Sequence, residues 1–421
     1  MEKKFFLAVT FAVLLCGSCA QEGKTRTDLV STTAARKDSA ARIIRERFMP
    51  AAMADGMIKI AVLVNLQAGD QSRQFLEGCV SEGRSMGFTV DTFISGADKD
   101  RGISRCRDIA AGIAQADYDG FIFAYGETGG EIDISPNDSD DFFLDVFKPI
   151  AEKGMKIVTF ETFPPQNSRP LDGLVATFQN DAGLARLSLD VLLSYAYSYA
   201  NRPVRVIRIG CDSGIPFLDR RTRIFDEYVR RGAIVEAAYV NVDGMENPEH
   251  AAWEGLALIL PHFPPGSVDA IWAPYDRFAE GCVQALASID RQDIKLFSIG
   301  ISNNDIRVMQ RCRETWLANV AVDPKLAGTV NMRILAAALA GETLPDTVFF
   351  TPQLLKAADL NYAVNIINIS VMVPAWGDAW GLFDHYPWMN DLKKAEEKYL
   401  RIPPATTPPG APSVAAFSVA P

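Results

Sequence analysis

The chain has 421 residues, 48% apolar and 22% charged, which is ordinary for a globular protein and long enough for two domains with full cores. Its formal net charge of −10 argues against a nucleic-acid partner, because phosphate is met by a basic surface. Only three histidines occur (His250, His262 and His385), without metal-ligand spacing, so neither a metal site nor a cofactor is expected.

The N-terminus, MEKKFFLAVTFAVLLCGSC, places Lys3 and Lys4 before an apolar run from Phe5 to Cys16. The run is too short to span a bilayer and reads as an export signal over residues 1–18. Small residues directly before a cysteine resemble the lipobox of bacterial lipoproteins, in which that cysteine becomes the lipid-bearing N-terminus. Cys19, after Gly17 and Ser18, is the expected lipidation site, and Cys16 is the second choice. An ordinary cleaved signal is the alternative, and it too exports the protein. The five remaining cysteines, 79, 106, 211, 282 and 312, are widely spaced and odd in number, which is no disulfide framework.

Residues 19–57 are polar and Ala-rich and read as a tether, with a short helix around 39–48. From residue 58 the texture changes to apolar strands alternating with amphipathic helices, the pattern of βαβ units on parallel sheets. Strands are expected at 58–64, 88–93, 120–125, 155–160, 174–178, 204–210, 233–240, 268–273, 294–300 and 317–322. Helices are expected at 71–86, 140–153, 181–199, 248–262, 276–288 and 324–340. Such a set divides most naturally into two sheets of five or six strands. The expected lobes are 58–179 with 323–352, and 180–322 with 353–400, crossing at about 178–182, 320–324 and 351–355. The aromatics of 361–400 (Trp376, Trp380, Phe383, Tyr386 and Trp388) are read as covering the outside of a lobe. Residues 401–421 are Pro- and Ala-rich and are expected to be disordered.

At this level the chain resembles the ribose/galactose type of periplasmic substrate-binding protein that serves ABC sugar importers (type I). The resemblance covers about residues 58–351. It is carried by KIAVLVNLQAGDQSRQFLEG with Gly78, by MGFTV at 86–90, GFIFA at 120–124 and KIVTFET at 156–162. It continues in NDAG at 180–183, RRTRIF at 220–225, VDAIWAPYDRFAEG at 268–281 and LANVAVDPKLAG at 317–328. It implies two Rossmann-like α/β lobes, a three-segment hinge and a ligand held between them. Several positions depart from the pattern. The loop 65–73 lacks an aromatic pair, Glu161 stands for an aspartate and Tyr275 for an asparagine. Ser302 stands about where an aspartate is expected, and Val322 replaces a polar residue. The fold carries over better than ribose as ligand.

The stretch FLDRRTRIF (217–225) frames the site question. On a helix starting near Phe217, residues 221, 225, 228 and 232 share one stripe, so Arg221 lies on the apolar side. It also sits in the first turn, where a cation is electrostatically disfavoured. In the resembling family the matching arginine donates to sugar oxygens, and a guanidinium fork suits a diol or carboxylate. Arg221 is therefore read as a ligand contact; the alternative is a buried ion pair with Asp219 or another lobe residue. Further candidates are Glu161, against a structural bond to the hinge, and Asp181, against capping of the following helix. Tyr275, Asp276, Asp70, Gln71, Ser302, Tyr125 and Phe163 complete the set, with capping or core packing as alternatives.

The expected function is capture of a small polar molecule, a sugar first of all, for an ABC transporter permease, by a monomer anchored to the membrane through lipid. A sensory receptor feeding a chemoreceptor or kinase is the nearer alternative. A hydrolase using Cys211 is the remoter one, since it needs His250 or His262 as base and no nucleophile motif is present.

Overall fold

The computed structural model describes residues 42–44, 46–53, 57–64, 70–96, 99–124, 136–162, 171, 173–197, 202–212, 214–243, 247–373 and 386–400. Cys19, Tyr125, Phe163, Trp376, Trp380, Phe383 and the tail 401–421 lie outside them.

Continuous apolar runs become strands buried on both faces, as parallel sheets covered by helices require. The first sheet takes β1 (Lys59–Val64), β2 (Thr89–Ile94), β3 (Gly120–Ala124), β4 (Lys156–Phe160), β5 (Leu174–Gln179) and β11 (Thr347–Phe350). Its order is β11-β5-β4-β3-β1-β2, all parallel. The second takes β6 (Val204–Gly210), β7 (Ile234–Asn241), β8 (Ala270–Ala273), β9 (Lys295–Ile299), β10 (Trp316–Ala321) and β12 (Gln353–Lys356). Its order is β12-β10-β9-β8-β6-β7, with only β12 antiparallel. Apart from the edge strands β11 and β12, both sheets have one winding, which makes the chain an internal near-duplicate.

Helices α1 (Asp70–Ser85), α2 (Lys99–Gln115), α3 (Pro136–Glu152) and α9 (Pro324–Leu339) belong with the first sheet. Helices α4 (Asp181–Tyr197), α5 (Pro216–Arg230), α6 (Pro248–Ile259), α7 (Asp276–Ser288) and α8 (Asn303–Arg311) belong with the second. The chain passes between sheets at Asn180, at Val322–Asp323 and at Thr351–Pro352, the third passage joining β11 to β12. These two strands of four residues each escaped the sequence reading, which ended the pattern there.

Both ends of the described chain depart from expectation. The tether was expected to reach residue 57, yet Ile44, Met49 and Met53 are buried against the core of the first lobe. Residues 353–400 were expected on the second lobe. Residues 357–373 do pack there, through Leu360, Val364, Ile366 and Ile369. Helix α11 (Pro387–Leu400), which follows the short α10 (Ile369–Met372), instead returns to the first lobe. Met389, Leu392 and Ala395 form its buried stripe, and Trp388 packs beside it. Glu82 is 5% exposed and fixes the helix, accepting from Arg333 Nε at 2.6 Å and Lys393 Nζ at 2.7 Å. An apolar stripe that needs cover and a buried carboxylate that needs cations explain the return.

Candidate functional site

In a doubly wound sheet the ligand crevice opens at the C-terminal strand ends where the order reverses. In the first sheet this point lies between β1 and β3, and the residues that follow them, 65–69 and 125–135, are outside the described residues. In the second it lies between β6 and β8, which end at Gly210 and Ala273.

Arg221 stands beside this second switch point. Pro216 at the start of α5 sets the helix direction, and Leu218, Arg221, Ile224 and Phe225 form its buried side. Arg221 is 5% exposed. Its Nε donates to Asp181 Oδ1 at 2.8 Å, and its Nη1 donates to the carbonyl of Pro274, just after β8, at 2.7 Å. Its guanidinium lies over the Phe217 ring, 4.8 Å from the centroid. Arg220 donates from Nε to the other oxygen, Asp181 Oδ2, at 2.9 Å. The ion pair thus exists, with Asp181 as partner rather than Asp219. It ties the residue after the first crossing to the loop after β8.

Asp181 does not cap its helix. Asn180 does, accepting the Gly183 amide at 2.9 Å, which leaves the Asp181 carboxylate for the two arginines. Glu161, at the end of β4, has φ 54°, in the left-handed region that a non-glycine residue seldom enters. Its carboxylate accepts the Gln179 amide, the structural bond to the hinge that was the alternative reading. Strain of this kind costs on the order of 1–3 kcal/mol and gathers at sites that move or bind.

Tyr275 lies edge-on to Phe217 and Phe278 (centroids 5.9 and 5.3 Å), and burial pushes its hydroxyl above its ordinary pKa. Ser302 caps α8 through the Asp305 amide at 3.1 Å. Asp70 and Gln71 reach the opposite lobe: Asp70 Oδ2 accepts from Asn303 N at 2.9 Å, and Gln71 Nε2 donates to Ile301 O at 3.0 Å.

Behind Tyr275, Asp276, Glu280 and Asp305 are buried close together, 5%, 8% and 1% exposed. Burial, as the main cause, pushes Asp276 up to about 6 from its ordinary 3.8; Asp305 and the Arg277 amide pull the other way. Asp305 is raised well above the ordinary range by burial and by the charges of Asp276 and Glu280. A carboxyl raised in the fold is destabilising once ionised. Its effect is absent below about pH 4, grows toward about pH 6 and is then constant. Asp276→Asn should therefore stabilise the protein, relative to wild type, more near pH 7 than near pH 5, by about 1 kcal/mol. Urea unfolding of both proteins at the two pH values checks this; an equal difference at both refutes it.

Cys211 donates to Asp243, and His250 stacks on Trp253 with centroids 5.3 Å apart. Neither contact builds a thiol–imidazole pair. The five described cysteines are free thiols. Among the described residues, no group of three or more His, Cys, Asp or Glu side chains could hold a metal ion.

Two near-duplicate parallel α/β lobes, joined by three crossings and bonded to each other through Asp70 and Gln71 of one and Asn303 and Ile301 of the other, define a two-lobed solute-binding protein. Among solved structures, a sugar ABC transporter protein from Yersinia enterocolitica is similar, at 30% identity and TM-score 0.62, over 82% of this chain and 98% of that one. A 5-methylthioribose transporter solute-binding protein from Thermotoga lettingae, with 5-methylthioribose bound, is similar at 22% identity and TM-score 0.61, over 80% and 98%. A periplasmic ribose ABC transporter protein from Conexibacter woesei is similar at 15% identity and TM-score 0.58, over 72% and 94%. The chain matches no protein-family profile and no curated protein. It belongs to the type I periplasmic sugar-binding proteins of ABC transporters, which are binding proteins and not enzymes.

Proposed function

We propose that this chain captures a sugar or sugar-like molecule between its lobes and delivers it to the permease of an ABC importer. The observation that carries the reading is Arg221, buried at the switch point of the second lobe on an acid that follows a hinge crossing. Its described bonds use two of the five N–H groups of a guanidinium, and the others suit vicinal hydroxyls. Tyr275 and Phe217 supply an aromatic wall beside it. Asp276, just after β8, and Glu161, just after β4 in the other lobe, are proposed as carboxylates of the cleft. Tyr125, next in sequence after β3, is proposed as a further ligand contact. The residues 1–18 are the export signal, and Cys19 carries the lipid that holds a monomer on a bacterial membrane in the periplasm.

Binding pulls the lobes together because the ligand touches both only when they are closed. The test is thermal unfolding of residues 20–421 with a panel of pentoses, hexoses, 5-methylthioribose, polyols, nucleosides and amino acids. A ligand present at 100 times its Kd is expected to add about 2.7 kcal/mol. A shift with one sugar supports the reading; a shift only with amino acids or nucleosides overturns the substrate class.

A further inference from the structure

The two bonds made by Asp70 and Gln71 join elements 230 or more residues apart in sequence, one in each lobe. Asn303 is the first residue of α8, so its amide is one of the four that the helix cannot satisfy internally. Ser302 takes the amide of Asp305, and its carbonyl takes that of Ile306. The amide of Asn303 is met from the opposite lobe, by Asp70. Asn303 is itself fixed, since its Oδ1 accepts the Ile366 amide at 3.0 Å. Asp70 also opens α1 and pairs with Arg73. One carboxylate therefore sits between two helix N-termini, where both dipoles favour a negative charge. Gln71 adds a second bond beside it, to a carbonyl between β9 and α8.

We propose that Asp70 and Gln71 are a latch: they hold the lobes closed by capping α8 across the cleft, and so set the ratio of closed to open protein. The proposal rests on the reading that the lobes close about the three-segment hinge. Parting the lobes exchanges the Asp70 cap and the Gln71 bond for water, and gives up the favourable placement between two helix ends. Positioning, not ligand contact, is the role assigned to both residues. A cap of this kind is worth roughly a 2- to 30-fold shift in the ratio.

The test needs no ligand. Small-angle X-ray scattering of the ligand-free protein compares wild type with the pair Asp70→Ala, Gln71→Ala, and amide exchange is followed at residues 301–306. The variant is expected to have a larger radius of gyration and faster exchange at Asn303, with exchange in the strands β8 and β9 unchanged. Equal radii overturn the latch, even if Asn303 alone exchanges faster, because the bond then bears no load on closure. Should the alanine pair fail to fold, Asp70→Asn keeps an oxygen acceptor without the charge. Its radius of gyration is expected to exceed wild type's, and a radius equal to wild type's again overturns the proposal. Failure of every sugar to bind, with the radii still different, would remove the transport reading and leave the latch standing.

Discussion

Gly328→Ala is expected to destabilise the first lobe by about 3 kcal/mol or more. Helices α1 and α9 approach backbone to backbone. A Cβ on Gly328 would fall on the carbonyl oxygen of Phe75, and one on Gly78 would fall on that of Lys325, both far inside van der Waals contact. The contact is interlocked, since the Cys79 thiol also donates to the Gly328 carbonyl at 3.3 Å. No rotamer can relieve a clash with backbone, so one helix must lift off the other. That would open the cluster that includes Phe75, Cys79, Ala327 and Val330. Overpacking a core typically costs about 1–3 kcal/mol, and a backbone clash lies at or above the upper end. Against a total domain stability of about 5–15 kcal/mol, such a loss is large. Denaturant unfolding should show a weakened or missing transition for this lobe, and Gly78→Ala should behave alike. Gly112→Ala on α2 is the control: nothing lies within 4 Å of its Cβ, and loss of glycine freedom should leave stability equal or raise it by about 0.4–1 kcal/mol. A Gly328→Ala protein as stable as wild type would show that the helices can separate without cost.

The parts of this architecture that were readable from sequence are those whose signal is local. Runs such as IKIAVLV and GFIFA are buried almost throughout, so burial alone writes them as apolar blocks. Strands β11 and β12 carry only four residues each at sheet edges, too few to show a period. Helix α11 was not among the helices read from the sequence, and its residues were assigned to the other lobe. Glu82, which fixes it, lies 311 residues before Lys393. The same limit applied at the site. Arg221 stood out because a charge on an apolar stripe needs a partner, whereas the partner itself, Asp181, is 40 residues away. Asp70 was read as a cap or a ligand contact. It does cap a helix, but one in the other lobe, and no spacing rule connects residues 70 and 303.

Arg221→Ala is expected to cost about 3–5 kcal/mol of stability, because it leaves a buried carboxylate with half its cations and a buried carbonyl with no donor in place of Nη1. Asp181 is 4% exposed, and Arg220 holds only its Oδ2 side. Arg220→Ala should be milder, near 1 kcal/mol, since the Arg220 side chain is 29% exposed and water can replace it. Stability alone would not separate a purely structural arginine from one that also holds a ligand. Arg221→Lys does. A lysine keeps the charge beside Asp181, but one ammonium cannot reach Asp181, Pro274 and a diol as a planar fork does. If Arg221 is only structural, the lysine protein should lose stability, yet its melting temperature should rise with the bound sugar by as much as wild type's does. If it also grips the ligand, the sugar-induced rise should shrink, as affinity falls by the loss of a charge-assisted hydrogen bond, roughly 10-fold or more. The comparison is made at equal sugar concentration, with each protein's own ligand-free melt as reference. An undiminished rise in Arg221→Lys would assign the sugar contacts to other residues of the cleft and leave Arg221 as the brace between Asp181 and Pro274.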